Sequence, residues 1–154
     1  MSQPPEIPDD LVGEDSRRRL TASAAKTVVR VFTVWGVGNG EASALLGVSE
    51  ATFEHIKAGR WDGVLSQDQL TRASAVIAIF RSLHLLFADS MADRWPSLHN
   101  SGPIFMHQSP IALMIAGGIP RMIETREYIE TLLGGSSPPE YEYGASMKPE
   151  AIVW

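Results

Sequence analysis

GEASALLGVSEATFEHIKAGRW, residues 40–61, carries the clearest structural pattern in the chain. Its spacing predicts two short helices. The first holds Glu41, Ala42, Ala44, Leu45 and Leu46 and stops at Gly47, the residue type best able to take the left-handed angle that closes a helix. Val48 then plugs the angle between the helices, and Ser49 stands as the N-cap of a second helix that begins at Glu50. Phe53 and Ile56 lie three apart and face inward, which leaves Glu50, Ala51, Thr52, His55 and Lys57 on or near the outward face until Gly59 ends the helix. Two short helices joined by a tight glycine turn have the sequence form of a helix-turn-helix, whose second helix enters the major groove of DNA. Packed helix pairs of the same form also occur in all-helical proteins with no nucleic-acid partner. On the first of these readings the candidate DNA contacts are Ser49, Ala51, Thr52, His55, Lys57 and Arg60.

Upstream, Leu20, Ala24, Val28, Val31, Phe32 and Trp35 recur at helical spacing and predict a first core helix over 20–35. The GVGNG at 36–40 ends it. No Lys-Ser or Lys-Thr follows those glycines and no strand precedes them, so they read as a connector and not a phosphate loop. Residues 1–15 are rich in Pro, Asp and Glu and poor in apolar groups, and together with Arg17, Arg18 and Arg19 they read as a flexible arm over 1–19. The arginine triplet suits a DNA backbone or an acidic partner, and equally a solvated helix start.

Downstream, Trp61 to Val64 form a turn and Ser66 caps a long helix to about Phe87. That helix carries two apolar stripes: Leu70, Ala73, Ile77, Phe80, His84 and Phe87, beside Val76, Ile79, Leu83 and Leu86. Two stripes require neighbours on two sides. His84 reads as a hydrogen-bonded core or interface residue, and His55, His99 and His107 share no metal-ligand spacing. Residues 89–108 read as a structured loop anchored by Trp95 and Phe105. Ser109 then caps a short helix with Pro110 at its first position and Gly117 and Gly118 at its end. Pro120 opens a last helix to about Leu133, with Met122, Ile123, Ile129, Leu132 and Leu133 on its apolar side. The expected architecture is all-α: a helix-turn-helix bundle over 20–88, joined through the long helix to a small helical domain over 89–135. A tail follows over 136–154, whose Tyr141, Tyr143 and terminal AIVW either dock on a partner or fold back.

At 154 residues and 44% hydrophobic content the chain can fold on its own, and with no cysteine it excludes disulfides and thiolate metal sites. Neither a signal peptide nor an apolar run of membrane-spanning length is present, which points to the cytoplasm. The net charge of −5 opposes DNA binding, but it is unevenly spread. Residues 1–19 and 89–154 are acidic, whereas 20–88 carry six Lys or Arg against five acids and offer Arg30, Lys57, Arg60 and Arg72 to phosphates. Glu50 and Glu54 repel a phosphate backbone unless they accept from cytosine or point away, so the expectation is weak or dimer-dependent DNA binding. No paired carboxylates, nucleophile with a base, or metal cluster stands at a useful spacing, so an enzyme is not expected, and no cofactor.

This order of pieces resembles the Xre-type antitoxins that pair with RES-domain toxins, over about residues 28–134. The resemblance rests on ALLGVSEATFEHIKAG at 44–59, VLSQDQLTRASAVIAIFRSLHLLF at 64–87, Trp95, NSGPIF at 100–105, SPIALMIAGG at 109–118 and the closing EYIETLLGG. It departs from the pattern at the recognition helix, with its two glutamates. The resemblance implies a small antitoxin that neutralises an NAD-degrading toxin, dimerises through its C-terminal domain, binds its own promoter together with the toxin and covers the toxin active site with C-terminal residues. Glu124, Glu127, Tyr141, Tyr143 and Trp154 are then the expected toxin contacts, the acids matching a pocket built for a phosphate-bearing substrate. The competing reading is a stand-alone dimeric helix-turn-helix repressor.

Overall fold

The computed structural model describes residues 13–102 and 104–134. Among them are seven α-helices and no strand: α1 Glu14–Trp35, α2 Asn39–Leu46, α3 Glu50–Lys57, α4 Gln67–Leu86, α5 Asp89–Arg94, α6 Pro110–Gly117 and α7 Ile119–Leu133. A 3-10 turn, Trp95–Ser97, follows α5. The protein is all-α, with the helix-turn-helix formed by α2 and α3.

Local rules explain most of the boundaries. Three serines start helices by accepting a backbone N–H three residues on: Ser49 from Thr52, Ser66 from Gln69 and Ser109 from Ala112, each at 3.1 Å. At Ser66 the Gln69 side chain returns the bond, its Oε1 accepting the Ser66 N–H at 2.9 Å, which completes a capping box. Helix α1 begins at Glu14 and not at Leu20, so Arg17, Arg18 and Arg19 belong to its first turns. Their long side chains are good helix formers and need no core contact there.

Helix α4 is the rod around which the others gather. It packs most extensively on α7 and α1, and also on α5 and α2. Its two apolar stripes are used in this way: Ala73, Val76, Ile79 and Leu83 are fully buried, while Leu70, Ile77 and Phe80 are half-buried. Each fully buried Val, Ile or Leu contributes about 1.5–3 kcal/mol. One continuous hydrophobic core runs from Val28 and Phe53 through α4 to Met114 and Ile129.

Aromatic contacts lie at both ends of that core. Phe32 meets Phe53 at 5.9 Å and Trp35 at 6.3 Å between ring centroids. In the other half Phe105 stands edge-on to both Trp95, at 5.6 Å, and Tyr128, at 5.1 Å. The Trp35 indole N–H is buried with no hydrogen-bond partner among the described residues, a cost of about 1–3 kcal/mol.

Several side chains lie elsewhere than their spacing predicts. Leu20 is 57% exposed, Ile123 42% and Leu133 37%, because the neighbouring helices do not extend over them. Tyr128 and Thr125, polar in name, are instead fully packed on α7. The segment 89–108, expected as a loop, opens with helix α5. His84 ties α5 to α4, its Nδ1 lying 3.0 Å from Asp89 Oδ1 and its Nε2 2.8 Å from Asp93 Oδ1.

Candidate nucleic-acid interface

The α2–α3 turn is built to a tight specification. Gly47 has φ +77°, and its N–H and that of Val48 both donate to the Ser43 carbonyl, at 2.8 and 3.0 Å. Helix α4 then clamps the turn from below. The Gln69 side-chain amide donates to the Gly47 carbonyl at 2.9 Å, and the Arg72 side chain lies so close that a Cβ at Gly47 would meet its Cδ at 3.0 Å. Arg72 is thereby spoken for: it pairs with Asp68 at 3.1 Å and is only 21% exposed. The charge distribution offers Arg72 to phosphates, but packing over the turn and the Asp68 pair engage its stem and guanidinium.

Phe53 and Ile56 hold α3 to the core, which turns the rest of the helix outward. Of the residues expected to touch DNA, Ser49, Ala51, His55 and Lys57 are exposed along α3, and Arg60 is exposed just past its end. Thr52 differs. It is half-buried, and its hydroxyl accepts from the Ser49 hydroxyl at 2.9 Å, so both hydroxyls serve the cap. Glu50 and Glu54 share the outward face. Asn39, at the start of α2, donates to Glu54 Oε1 at 3.5 Å and accepts from Lys57 Nζ at 3.4 Å, so one neutral amide steadies both charges on that flank.

Beside Lys57 a groove of about 630 Å³ runs between α1 and the turn that follows α3. Its rim carries Arg18, Lys26 and Arg30 from α1, and its wall includes Trp61. Of these, Arg30 was among the expected phosphate partners and Arg18 belongs to the triplet read as suiting a DNA backbone, whereas Lys26 was not singled out. The signal in the sequence was there: basic residues at 18, 26 and 30 fall on one face of a helix at spacings of four and eight.

The residues expected to meet a protein partner are spread out. Glu124 Oε2 accepts from Arg121 Nη1 at 2.7 Å, while Glu127 is exposed and makes no ion pair among the described residues. Tyr141, Tyr143 and Trp154 lie outside the described residues. A second groove, of about 690 Å³, separates α1, α4 and α7. Leu20, Leu70, Ile77 and Ile123 give it an apolar lining, flanked by Arg81 and Arg126. Among the described residues no group of His, Asp or Glu could hold a metal ion, and no helix is long and apolar enough to cross a membrane.

The fold and the outward face of α3 define a helix-turn-helix protein. Residues 16–78, which span α1 through the first half of α4, match the family model of the antitoxin Xre-like helix-turn-helix domain. That match supports a regulator of the antitoxin type with a DNA-binding fold. No curated protein and no solved structure matches the chain.

Proposed function

We propose that this protein is an antitoxin that neutralises a RES-domain, NAD-degrading toxin by binding it and occluding its active site, and that it represses its own operon through α3. The match of residues 16–78 to the antitoxin Xre-like domain is the observation that carries this reading. In the division of labour proposed here, 20–88 serve DNA, and 89–135 with the tail 136–154 serve the toxin and homodimer formation, in the cytoplasm. Glu127 is the exposed acid of α7 left for a basic pocket, with Glu124 next to it on the Arg121 pair. Tyr141, Tyr143 and Trp154 are the proposed anchors of the tail.

The apolar groove between α1, α4 and α7 supports the protein-binding half of the reading. Exposed Leu20 and Ile123 flank it, and such side chains gain from being covered. Co-expression with the product of the adjacent gene, light scattering of the purified material and an NAD-consumption assay test the proposal. A stable complex with NAD consumption suppressed is expected. A free dimer that shifts its own promoter, with no complex, would replace the antitoxin with a stand-alone repressor.

A further inference from the structure

We infer that the groove between α1 and the turn after α3 carries the phosphate backbone of bound DNA, so that α1, and not the recognition helix, supplies most of the charge. The inference rests on the proposal that α3 faces DNA, and it answers the main objection to it. The outward face of α3 bears Glu50 and Glu54 against Lys57 and His55, too little positive charge to hold a polyanion.

The groove reverses that balance. In a chain of net charge −5, Arg18, Lys26, Arg30 and Lys57 all line it, and Asp62 is the one acid among the lining residues. Lys57 belongs both to α3 and to the groove, which makes the two surfaces continuous. From Arg18 to Arg30 the helix advances about 18 Å, long enough to follow several phosphates of one strand.

The opposite wall is closely packed. The Trp61 indole lies against Gly63, so close that a Cβ there would fall 2.3 Å from the ring. Only glycine lets the indole pack so closely, and Trp61, half-exposed in the groove, offers an apolar surface to deoxyribose between the cationic contacts.

The test uses the full chain and a labelled duplex taken from upstream of its own gene, with binding followed by fluorescence anisotropy between about 50 and 200 mM salt. The variants are Lys26→Ala with Arg30→Ala, the charge-preserving pair Lys26→Arg with Arg30→Lys, and Ala51→Asp on α3. Both α1 side chains are exposed, so folding is unaffected. Removing the two cations is expected to lower the slope of log K against log salt by about 0.9 for each, and affinity roughly tenfold, with the charge-preserving pair close to wild type. If Ala51→Asp abolishes binding while the alanine pair leaves the slope unchanged, the groove is not a DNA contact and the α3 reading stands. Loss of a protein complex by the alanine pair with that same unchanged slope would assign the groove to an acidic peptide, also against the inference. No binding by the wild-type protein at any salt concentration would sink both.

Discussion

The side-chain amide of Gln69 donates to the Gly47 carbonyl across 2.9 Å while its own carbonyl caps the start of α4 at Ser66. One side chain thus closes the capping box of the central helix and pins the turn of the helix-turn-helix to it. This link adds to the Phe53 and Ile56 packing that orients α3, and the turn has no other side-chain hydrogen bond to α4 among the described residues.

Gln69→Ala should therefore lower stability by about 1–2 kcal/mol, the combined loss of a cap and a hydrogen bond. Urea unfolding measures it. Gln69→Glu keeps the cap acceptor but cannot donate to Gly47, so it should fall between wild type and alanine. Equal stability for all three proteins would mean that the turn does not use this link.

Gly118 joins α6 to α7 with φ +67° and ψ −149°, a region open in practice only to glycine. Gly118→Ala should cost about 1–3 kcal/mol from backbone strain alone, since the nearest atom to a new Cβ, Arg72 Nη2, is an ordinary 3.5 Å away. Gly40→Ala is the control: a Cβ there meets nothing within 4 Å and φ is not positive. A thermal melt in which both variants behave alike would contradict the assignment.

Substitution should cost far more at Tyr128 than at Trp35. Tyr128 is 1% exposed between Trp95 and Phe105, and Tyr128→Ala should cost about 3–5 kcal/mol and leave the C-terminal half poorly folded. Trp35→Phe also removes buried volume, but it removes an unpartnered indole N–H at the same time, so its net effect should stay within about 1 kcal/mol of wild type. A loss at Trp35 as large as that at Tyr128 would show that the donor is satisfied.

Ile123→Glu and Leu20→Glu place charge on the groove between α1, α4 and α7 at side chains that solvent already reaches. Both variants should melt within a degree or two of wild type, because exposed positions change stability by less than about 0.5 kcal/mol. Both should nevertheless weaken the complex with the toxin or the homodimer at least tenfold in light scattering or calorimetry. Unchanged assembly in both would remove this groove from the protein-binding surface.

Lys57→Ala tests the recognition helix itself. Loss of one phosphate contact should weaken binding across specific and scrambled duplexes alike and reduce the salt slope by about 0.9. A change confined to the specific duplex would instead assign Lys57 to base reading, which its place on the flank near Asn39 does not favour.

Features set by local chemistry were legible along the chain. Ser49, Ser66 and Ser109 start helices, Gly36, Gly47 and Gly59 end them with positive φ, and the Phe53–Ile56 spacing turns α3 outward. Each of these follows from hydrogen bonds and dihedral angles within a few residues, so no distant contact is needed to read them. Packing between helices set the rest. Leu20 and Ile123 are apolar at correct helical spacing yet exposed, and Tyr128 is buried, because burial depends on which other helix arrives and not on the pattern within one. Arg72 is basic in the right third of the chain, but packing over Gly47 withdraws it, while Lys26 gains a place beside Lys57 only when α1 lies against α3. Charge that sequence can only count becomes a surface when the helices are brought together, because electrostatic and apolar contacts act through space.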